Sequence, residues 1–283
     1  MRPRASALGL AVRCVYPWTS GDPWPVEDDT PAIRWGNAVH HVADNGVESV
    51  GAAAELFGLD EDEAADLAVV ARDIVATRAE LIAGSNVWFS ERRIAYDAIR
   101  GVSRHVGEEP SESEWHGSPD LAVRHGARLL IVDWKSGRGT LGRRPSDLIQ
   151  IRTYAVMVAA LPEMAGVEHV DIAIGQVLNG EVHLVMDRAS SAQMLTWEAD
   201  LFDIARKLKR PPTPTPGPWC GGEYCPARST CPTTLAIARA ADGLAAGLPL
   251  TGPIENVNDA LAMRSAIDRM REFLNGREEA VKS

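Results

Sequence analysis

Three charged residues, Asp120, Asp133 and Lys135, have the types and the spacing needed for chemistry on a phosphate. Asp133 and Lys135 follow the apolar run of residues 129–132, which indicates a buried strand. Side chains two positions apart on a strand point to the same face, so we expect this carboxylate and ammonium to lie side by side. Asp120 follows Gly117-Ser118-Pro119, where a neighbouring strand begins or turns. Two carboxylates suit a divalent metal, and the pattern therefore predicts metal-dependent phosphodiester cleavage.

The composition limits the possible classes of protein. The 283 residues suffice for one large domain or two modest ones, and the formal net charge of −10 argues against a surface coated with basic residues for non-specific DNA binding. We find no run of about 20 apolar residues, so we expect no membrane span and a cytoplasmic location. In a reducing compartment the four cysteines are more typical of metal ligands, reactive thiols or core residues than of disulfides.

The hydrophobic pattern alternates between helix and strand, which predicts a mixed α/β core with a central sheet flanked by helices. Three successive strands with hairpin-like turns imply an antiparallel meander, and Ser146 is a plausible helix cap. The predicted elements, in chain order, are a helix from Pro31, a helix over Asp60–Ala83, strands over Val87–Ala98, Trp115–Val123 and Leu129–Lys135, a helix over Ser146–Leu161, strands over His169–Leu178 and Glu181–Met186, and a helix over Ala189–Arg210.

The composition also predicts a domain organisation. An N-terminal arm, residues 1–30, carries one cysteine and precedes a core over residues 31–210. Residues 211–232 form a proline-rich spacer, which should run extended, followed by three cysteines. Residues 233–283 read as a C-terminal helical appendage.

Two further motifs accompany the charged residues in order along the chain. Gly36-x-x-x-His40 lies on the helix from Pro31, and Gln150-x-x-x-Tyr154 lies on the helix that follows Lys135. With Pro119-Asp120 and Asp133-x-Lys135, they resemble the signature of PD-(D/E)XK nucleases of the RecB-like branch. This resemblance implies a restriction-endonuclease-like core and an exonuclease that acts on single-stranded or end-bearing DNA.

The resemblance also implies roles for individual residues. Asp120, Asp133, the carbonyl of Trp134 and His40 would be ligands of Mg²⁺ or Mn²⁺. Lys135 would orient the attacking water or stabilise negative charge in the transition state. Gln150 and Tyr154 would contact the nucleic acid or brace the site. Glu91 stands where the family often has a glutamate, but we interpret it as a charge at a strand edge.

The cysteine layout extends the resemblance. Cys14 precedes the core, whereas Cys220, Cys225 and Cys231 follow it. This arrangement resembles the iron–sulfur members of the branch, including CRISPR-associated and phage-encoded exonucleases, and implies a [4Fe–4S] cluster that joins the N-terminal arm to the C-terminal segment. Zn²⁺ is the alternative, although zinc usually takes closely spaced cysteine pairs.

Other functions remain open from the sequence. The chain could be a non-catalytic subunit that binds DNA ends, or an iron–sulfur redox or sensor protein with structural carboxylates. The expected partner molecule is DNA, either single-stranded or at duplex ends, with a helicase, recombination, phage or CRISPR protein as a possible companion. The sequence contains no G-x-x-x-x-G-K-[S/T] motif, so we expect ATP use only through such a companion.

Overall fold

A computed structural model describes residues 11, 13–20, 30–107, 110–111, 114–136, 142–178, 180–215, 225, 227, 230–233 and 235–236. The chain divides into two compact units. The first contains the described residues between 26 and 207, and the second contains those within 10–25 and from 208 onward. The second unit includes a one-turn helix, Tyr16–Thr19. The domain boundaries at residues 30, 210 and 232 stay a prediction.

The first unit contains a mixed sheet and a smaller antiparallel one. Its helices are α1 (Pro31–Asn45), α2 (Val50–Phe57), α3 (Glu61–Ile82), α4 (Ile149–Ala159) and α5 (Ser191–Leu208). Its strands are β1 (Val87–Phe89), β2 (Ile94–Asp97), β3 (Val102–His105), β4 (Glu114–Gly117), β5 (Leu121–His125), β6 (Arg128–Lys135), β7 (His169–Leu178) and β8 (Glu181–Ala189). Short 3₁₀ turns occupy Val47–Ser49, Pro145–Asp147 and Pro162–Met164.

The larger sheet has the order β1-β5-β6-β7-β8, and its neighbours are antiparallel except for the parallel pair β6–β7. The smaller sheet has the order β3-β2-β4. The even-numbered residues of β6, such as Val132 and Trp134, pack with α1 and α3 in one hydrophobic core. Helix α4 contacts β6 and β7, as well as β2 and β3 of the smaller sheet. The mixed α/β architecture predicted from the sequence is confirmed.

Local sequence signals explain the helix starts. Asp60 caps α3 in a capping box, where its carboxylate accepts a hydrogen bond from Glu63 N at 2.8 Å and its own N–H donates to the Glu63 carboxylate at 3.0 Å. Thr30 caps α1, and Pro31 stands at its first position. These two helices begin where the sequence predicted.

The predicted antiparallel meander is confirmed in the larger sheet, where β1, β5 and β6 are successive antiparallel neighbours, but two of its strands are divided and one predicted cap is wrong. Val87–Ala98 forms two strands, β1 and β2, which belong to different sheets, and Trp115–Val123 is likewise divided between β4 and β5. Strand β3 was missed because it is short and carries Arg104 and His105. Ser146 lies in the 3₁₀ turn before α4, where its hydroxyl donates to Asp187 at 2.6 Å instead of capping the helix.

Candidate active site

The two divided strands bring two carboxylates face to face. Val87 pairs with Arg124 in the larger sheet, and Ile94 pairs with Gly117 in the smaller one. From the first pair to the second, the chain moves forward by seven residues on one side and back by seven residues on the antiparallel side. The register is therefore the same before and after the strands divide. Continuing that register places Glu91 opposite Asp120. The backbone agrees, because Glu91 N donates to the carbonyl of Pro119 at 3.1 Å.

Glu91 has an unusual backbone conformation at this point. Its φ of +46° makes it the only non-glycine residue with positive φ in the described ranges. A glutamate in this left-handed region is uncommon and costs free energy, and such residues cluster at functional sites. Glu91 lies in the turn between β1 of the larger sheet and β2 of the smaller sheet. Its side chain therefore extends from this turn and not from a regular strand.

Helix α1 supplies a third ligand-type side chain. His40 Nδ1 lies 3.3 Å from Asp120 Oδ1 and 3.4 Å from Glu91 Oε1. One donor atom from each of His40, Glu91 and Asp120 lies within 4.8 Å of the other two. One turn earlier, a Cβ built on Gly36 would lie 3.5 Å from Ser136 Oγ, which is an ordinary contact distance. The helix therefore passes close to the end of β6 at this glycine.

Asp133 and Lys135 lie at the end of β6, on one face of the strand as predicted. Asp133 is 1% exposed, and its Oδ2 atom lies 2.6 Å from Lys135 Nζ. The two side chains form an ion pair, and Asp133 Oδ2 has no hydrogen-bond partner in the described part of the chain. A buried carboxylate whose oxygen faces an ammonium in this way lies in a site that favours cations.

Trp134 connects the two aspartates through the backbone. Its N–H donates a hydrogen bond to Asp120 Oδ2, while its indole ring is buried on the opposite face of the sheet. Gln176 Nε2 donates to the carbonyl of Lys135 at 2.9 Å and so fixes the end of β6. The role of the Trp134 carbonyl as a metal ligand stays a prediction.

Gln150 and Tyr154 extend this polar network along α4. Lys135 Nζ donates to Gln150 Oε1 at 3.1 Å, and Gln150 Nε2 donates to the Tyr154 hydroxyl at 3.2 Å. The tyrosine oxygen therefore acts as an acceptor, and its own proton is left to donate elsewhere. Burial raises the pKa of Tyr154, and the negative charge of Asp133 raises it further, so the hydroxyl remains protonated.

The carboxylates around His40 create a local environment that favours positive charge. Burial raises the pKa of Asp120, the charge on Asp133 adds to this effect, and His40 opposes it. Burial alone would lower the pKa of His40, but hydrogen bonds and charges from Asp120 and Glu91 outweigh it and raise the pKa to about 10. Without a bound cation, the protonated His40 side chain offsets the negative charge of these carboxylates. A bound cation could offset the same charge in its place.

A cleft of about 800 Å³ opens over these residues. Its acidic side carries His40, Glu91 and Asp120, and Gln150 and Tyr154 also line it. Other groups suited to nucleic acid line the same cleft, namely Asn37, His41, Asn45, Phe57, Arg93 and His116. The cleft thus combines metal-ligand carboxylates with cationic, amide and aromatic groups.

The structure brings together most of the predicted site and adds to it. His40, Asp120, Asp133, Lys135, Gln150 and Tyr154 are joined by the contacts described above. Sequence reasoning gave too little weight to Glu91 and missed Gln176, Arg93 and His116. The register between two strands would have identified Glu91. The other three residues carry no sequence motif that we recognise.

The described cysteines belong to the second unit. Cys14 and Cys225 are half-buried there and Cys231 is buried, whereas Cys220 lies outside the described residues. Cys14 Sγ accepts a hydrogen bond from Thr215 N at 3.4 Å, so this N-terminal cysteine contacts the chain shortly before the other three. Cys231 begins a helical turn, because Leu235 N donates to its carbonyl at 2.9 Å.

No helix within the described ranges is both long and apolar enough to cross a membrane. A search of curated proteins finds no match. Among solved structures, SSO0001 is similar with 13% identity and a TM-score of 0.36, covering 82% of this chain and 85% of that chain. A "Putative exonuclease" from Eubacterium rectale has 12% identity and a TM-score of 0.39, covering 75% and 76%. Likenesses this weak carry no functional argument.

A protein-family model gives the assignment that the two structures do not. The model of the PD-(D/E)XK nuclease superfamily matches residues 6–232, which is most of the chain. The match includes the whole described first unit and all four cysteines. This chain belongs to the PD-(D/E)XK nuclease superfamily.

Proposed function

We propose that the chain is a divalent-metal-dependent deoxyribonuclease of the RecB-like branch that degrades DNA from an end. One observation supports the proposal most strongly: Glu91, Asp120 and His40 converge on a single cleft beside the linked pair Asp133 and Lys135. In a member of a nuclease superfamily, this arrangement matches the needs of phosphodiester hydrolysis. The preference for an exposed end and for DNA comes from the resemblance to the RecB-like branch.

Asp120, Glu91, Asp133 and His40 would hold the cation, since oxygen-rich sites suit Mg²⁺ and an imidazole makes Mn²⁺ acceptable. A bound cation supplies Lewis-acid neutralisation of the phosphate and an activated water. Trp134 N–H fixes the Asp120 carboxylate by its hydrogen bond. His40 must lose its proton to act as a ligand, because only neutral imidazole binds a metal.

Lys135 and Tyr154 then act on the phosphate. Lys135 is held by Asp133 and Gln150, so its ammonium is positioned without needing to reorganise during the reaction. Tyr154 accepts from Gln150 and can donate its proton to a phosphate oxygen. Arg93 and His116, which lie 3.4 Å apart at the cleft wall, would bind a neighbouring phosphate.

The test is cleavage of end-labelled DNA by the full chain with Mn²⁺, with Mg²⁺ and with a chelator. Asp120→Asn and Lys135→Ala should each slow cleavage by roughly a hundredfold or more. The matched control is the exposed pair Asp203 and Lys207 on α5, whose side chains lie 2.7 Å apart, because Asp203→Asn and Lys207→Ala should cleave normally. Cleavage at the wild-type rate by both site variants would refute the proposal.

Substrate form separates the remaining alternatives. An exonuclease should degrade linear single strands stepwise and leave circular single strands intact. DNA binding without cleavage under every metal condition would instead support a non-catalytic end-binding subunit. RNA degraded as fast as DNA would contradict the assignment as a deoxyribonuclease.

We also propose that the four cysteines, which lie outside the nuclease core of residues 31–210 in the sequence, hold a [4Fe–4S] cluster. The supporting observation is that Cys14 shares a compact unit with Cys225 and Cys231, although more than two hundred residues separate them along the chain. Protein purified without oxygen should be brown and contain iron and sulfide, and Cys225→Ser should lose both. A colourless preparation that contains zinc would establish the alternative metal.

A further inference from the structure

A second cleft in the first unit has the size and lining of a small-molecule site. Its volume is about 530 Å³, and it lies among α4, the turn that follows it, the smaller sheet and the start of α5. Most of its lining is small or apolar, including Val156, Met164 and Leu195. Ligand pockets typically measure roughly 300–1,000 Å³ and combine an apolar lining with a few polar groups. None of the lining residues contributes to the nuclease cleft.

A buried tyrosine with an unpaired hydroxyl is among the residues that line this cleft. Tyr96 is 0% exposed, and its hydroxyl has no hydrogen-bond partner among the described residues. Ser103 and Trp115 pair with Tyr96 from the two neighbouring strands, and their buried Oγ and Nε1 atoms also lack partners there. A buried unsatisfied group costs about 1–3 kcal/mol, so three side by side call for an explanation. Tyr96 alone of the three lines the cleft.

The charged side chains that line the cleft are acidic. Glu168 and Glu198 line it, and no lysine, arginine or histidine appears among its described lining residues. A Cβ built on Gly101 would lie 3.1 Å from Glu198 Oε1, which places this carboxylate over the β2–β3 turn. Burial raises the pKa of Tyr96, and the negative charges of Glu198 and Asp97 add to this effect.

We propose that this cleft binds a small organic cation. An ammonium or guanidinium head would donate hydrogen bonds to the Tyr96 hydroxyl and the Glu198 carboxylate. An apolar body would lie against Val156, Met164 and Leu195. The inference does not rest on the proposed nuclease function, because the two clefts share no lining residue.

Three probes with one indole body and different head groups test the proposal by calorimetry on the full chain. Tryptamine carries a cation, tryptophol a neutral hydroxyl and indole-3-acetate an anion. We expect tryptamine to bind one site per chain, roughly tenfold or more tighter than tryptophol, because hydrogen bonds to charged groups are the stronger ones. Indole-3-acetate should not bind. Equal affinity for the three probes, or no saturable binding of tryptamine, would overturn the proposal.

Variants locate the binding site. Tyr96→Phe should weaken tryptamine binding roughly tenfold, while leaving the thermal midpoint unchanged or higher because it removes an unsatisfied group. Glu198→Gln should weaken binding roughly two- to fivefold, since its carboxylate is exposed. Glu181→Gln, at a side chain 77% exposed on β8, is the matched control and should bind normally. If Glu91→Gln in the nuclease cleft abolishes binding while Tyr96→Phe does not, the assigned cleft is wrong.

Discussion

Replacing Gly175 with alanine should destabilise the fold and impair the candidate active site together. Gly175 pairs with Trp134 across the parallel β6–β7 ladder, and the indole ring lies over the glycine. A Cβ at position 175 would lie 2.0 Å from Trp134 Cε3 and 2.3 Å from Cζ3. Non-bonded carbon atoms prefer about 3.5 Å or more, so the ring would have to move by roughly 1.5 Å.

The surroundings leave little room for that movement. Trp134 is 1% exposed and packs in the core with Val39 and Val132, which are both 0% exposed. Overpacking a close-packed core typically costs about 1–3 kcal/mol, and the severity of this clash points to the upper end of that range. A loss of about 3 kcal/mol corresponds to a fall in Tm of roughly 6–12 °C for a unit of this size.

Urea unfolding measures the stability loss, and a double variant tests its cause. In Gly175→Ala combined with Trp134→Leu the clash is absent, so the alanine should then cost little, although the leucine carries its own cavity penalty. Cleavage should also fall in Gly175→Ala, because a displaced Trp134 N–H no longer holds Asp120 in place. A clash between the added methyl group and Trp134 is ruled out if Gly175→Ala unfolds within about 0.5 kcal/mol of wild type, or if the two penalties simply add.

Three further outcomes are expected. Asp171, which lies 2.6 Å from Arg128 and 2.8 Å from Arg188, has a pKa that burial raises but that hydrogen bonds from both arginines lower on balance. The ionised Asp171 carboxylate therefore stabilises the fold fully above its pKa in the unfolded chain, and this stabilisation is lost as the pH falls through its pKa in the folded chain. The difference in free energy of unfolding between wild type and Asp171→Asn, measured in urea, should therefore disappear in acid. A difference that is independent of pH would contradict this. Asp60→Ala should cost about 1 kcal/mol in urea unfolding without changing the rate constant of cleavage, and an unchanged urea midpoint would argue against the capping box. Tyr154→Phe should lower kcat roughly tenfold with little change in KM, whereas a change confined to KM would assign the hydroxyl to ground-state binding.

The sequence predicted the long elements of the fold because their signals are local. The capping box at Asp60 and the apolar run of residues 129–132 each act within a few residues, and α3 and β6 appear where they were expected. Short β3 escaped prediction because four residues, two of them Arg104 and His105, do not form a recognisable apolar alternation. The cap predicted at Ser146 failed because a more distant partner, Asp187, binds its hydroxyl.

The site residues that belong to a sequence motif could be predicted. The residues that only the tertiary structure brings to the site could not. Asp133 and Lys135 lie on one face of one strand, so their contact follows from spacing alone. Gln176 braces the carbonyl of Lys135 from the neighbouring parallel strand, and such pairing depends on a register that the sequence does not state. Glu91 needed the same kind of information, because its partner Asp120 lies 29 positions away along the chain, between β4 and β5.

The division of the two strands explains why the site forms at this position. The register places Glu91 opposite Asp120, and like charges opposed in this way destabilise a regular sheet. The ladder is interrupted at this position, with φ of +46° at Glu91, and the strands continue into a second sheet. The two sheets then supply different walls of the cleft, since Asp120 precedes β5 of the larger sheet whereas His116 lies on β4 of the smaller one. The two carboxylates that meet at this division are thus the groups that would attract a cation, and the positive φ of Glu91 is backbone strain at the same point.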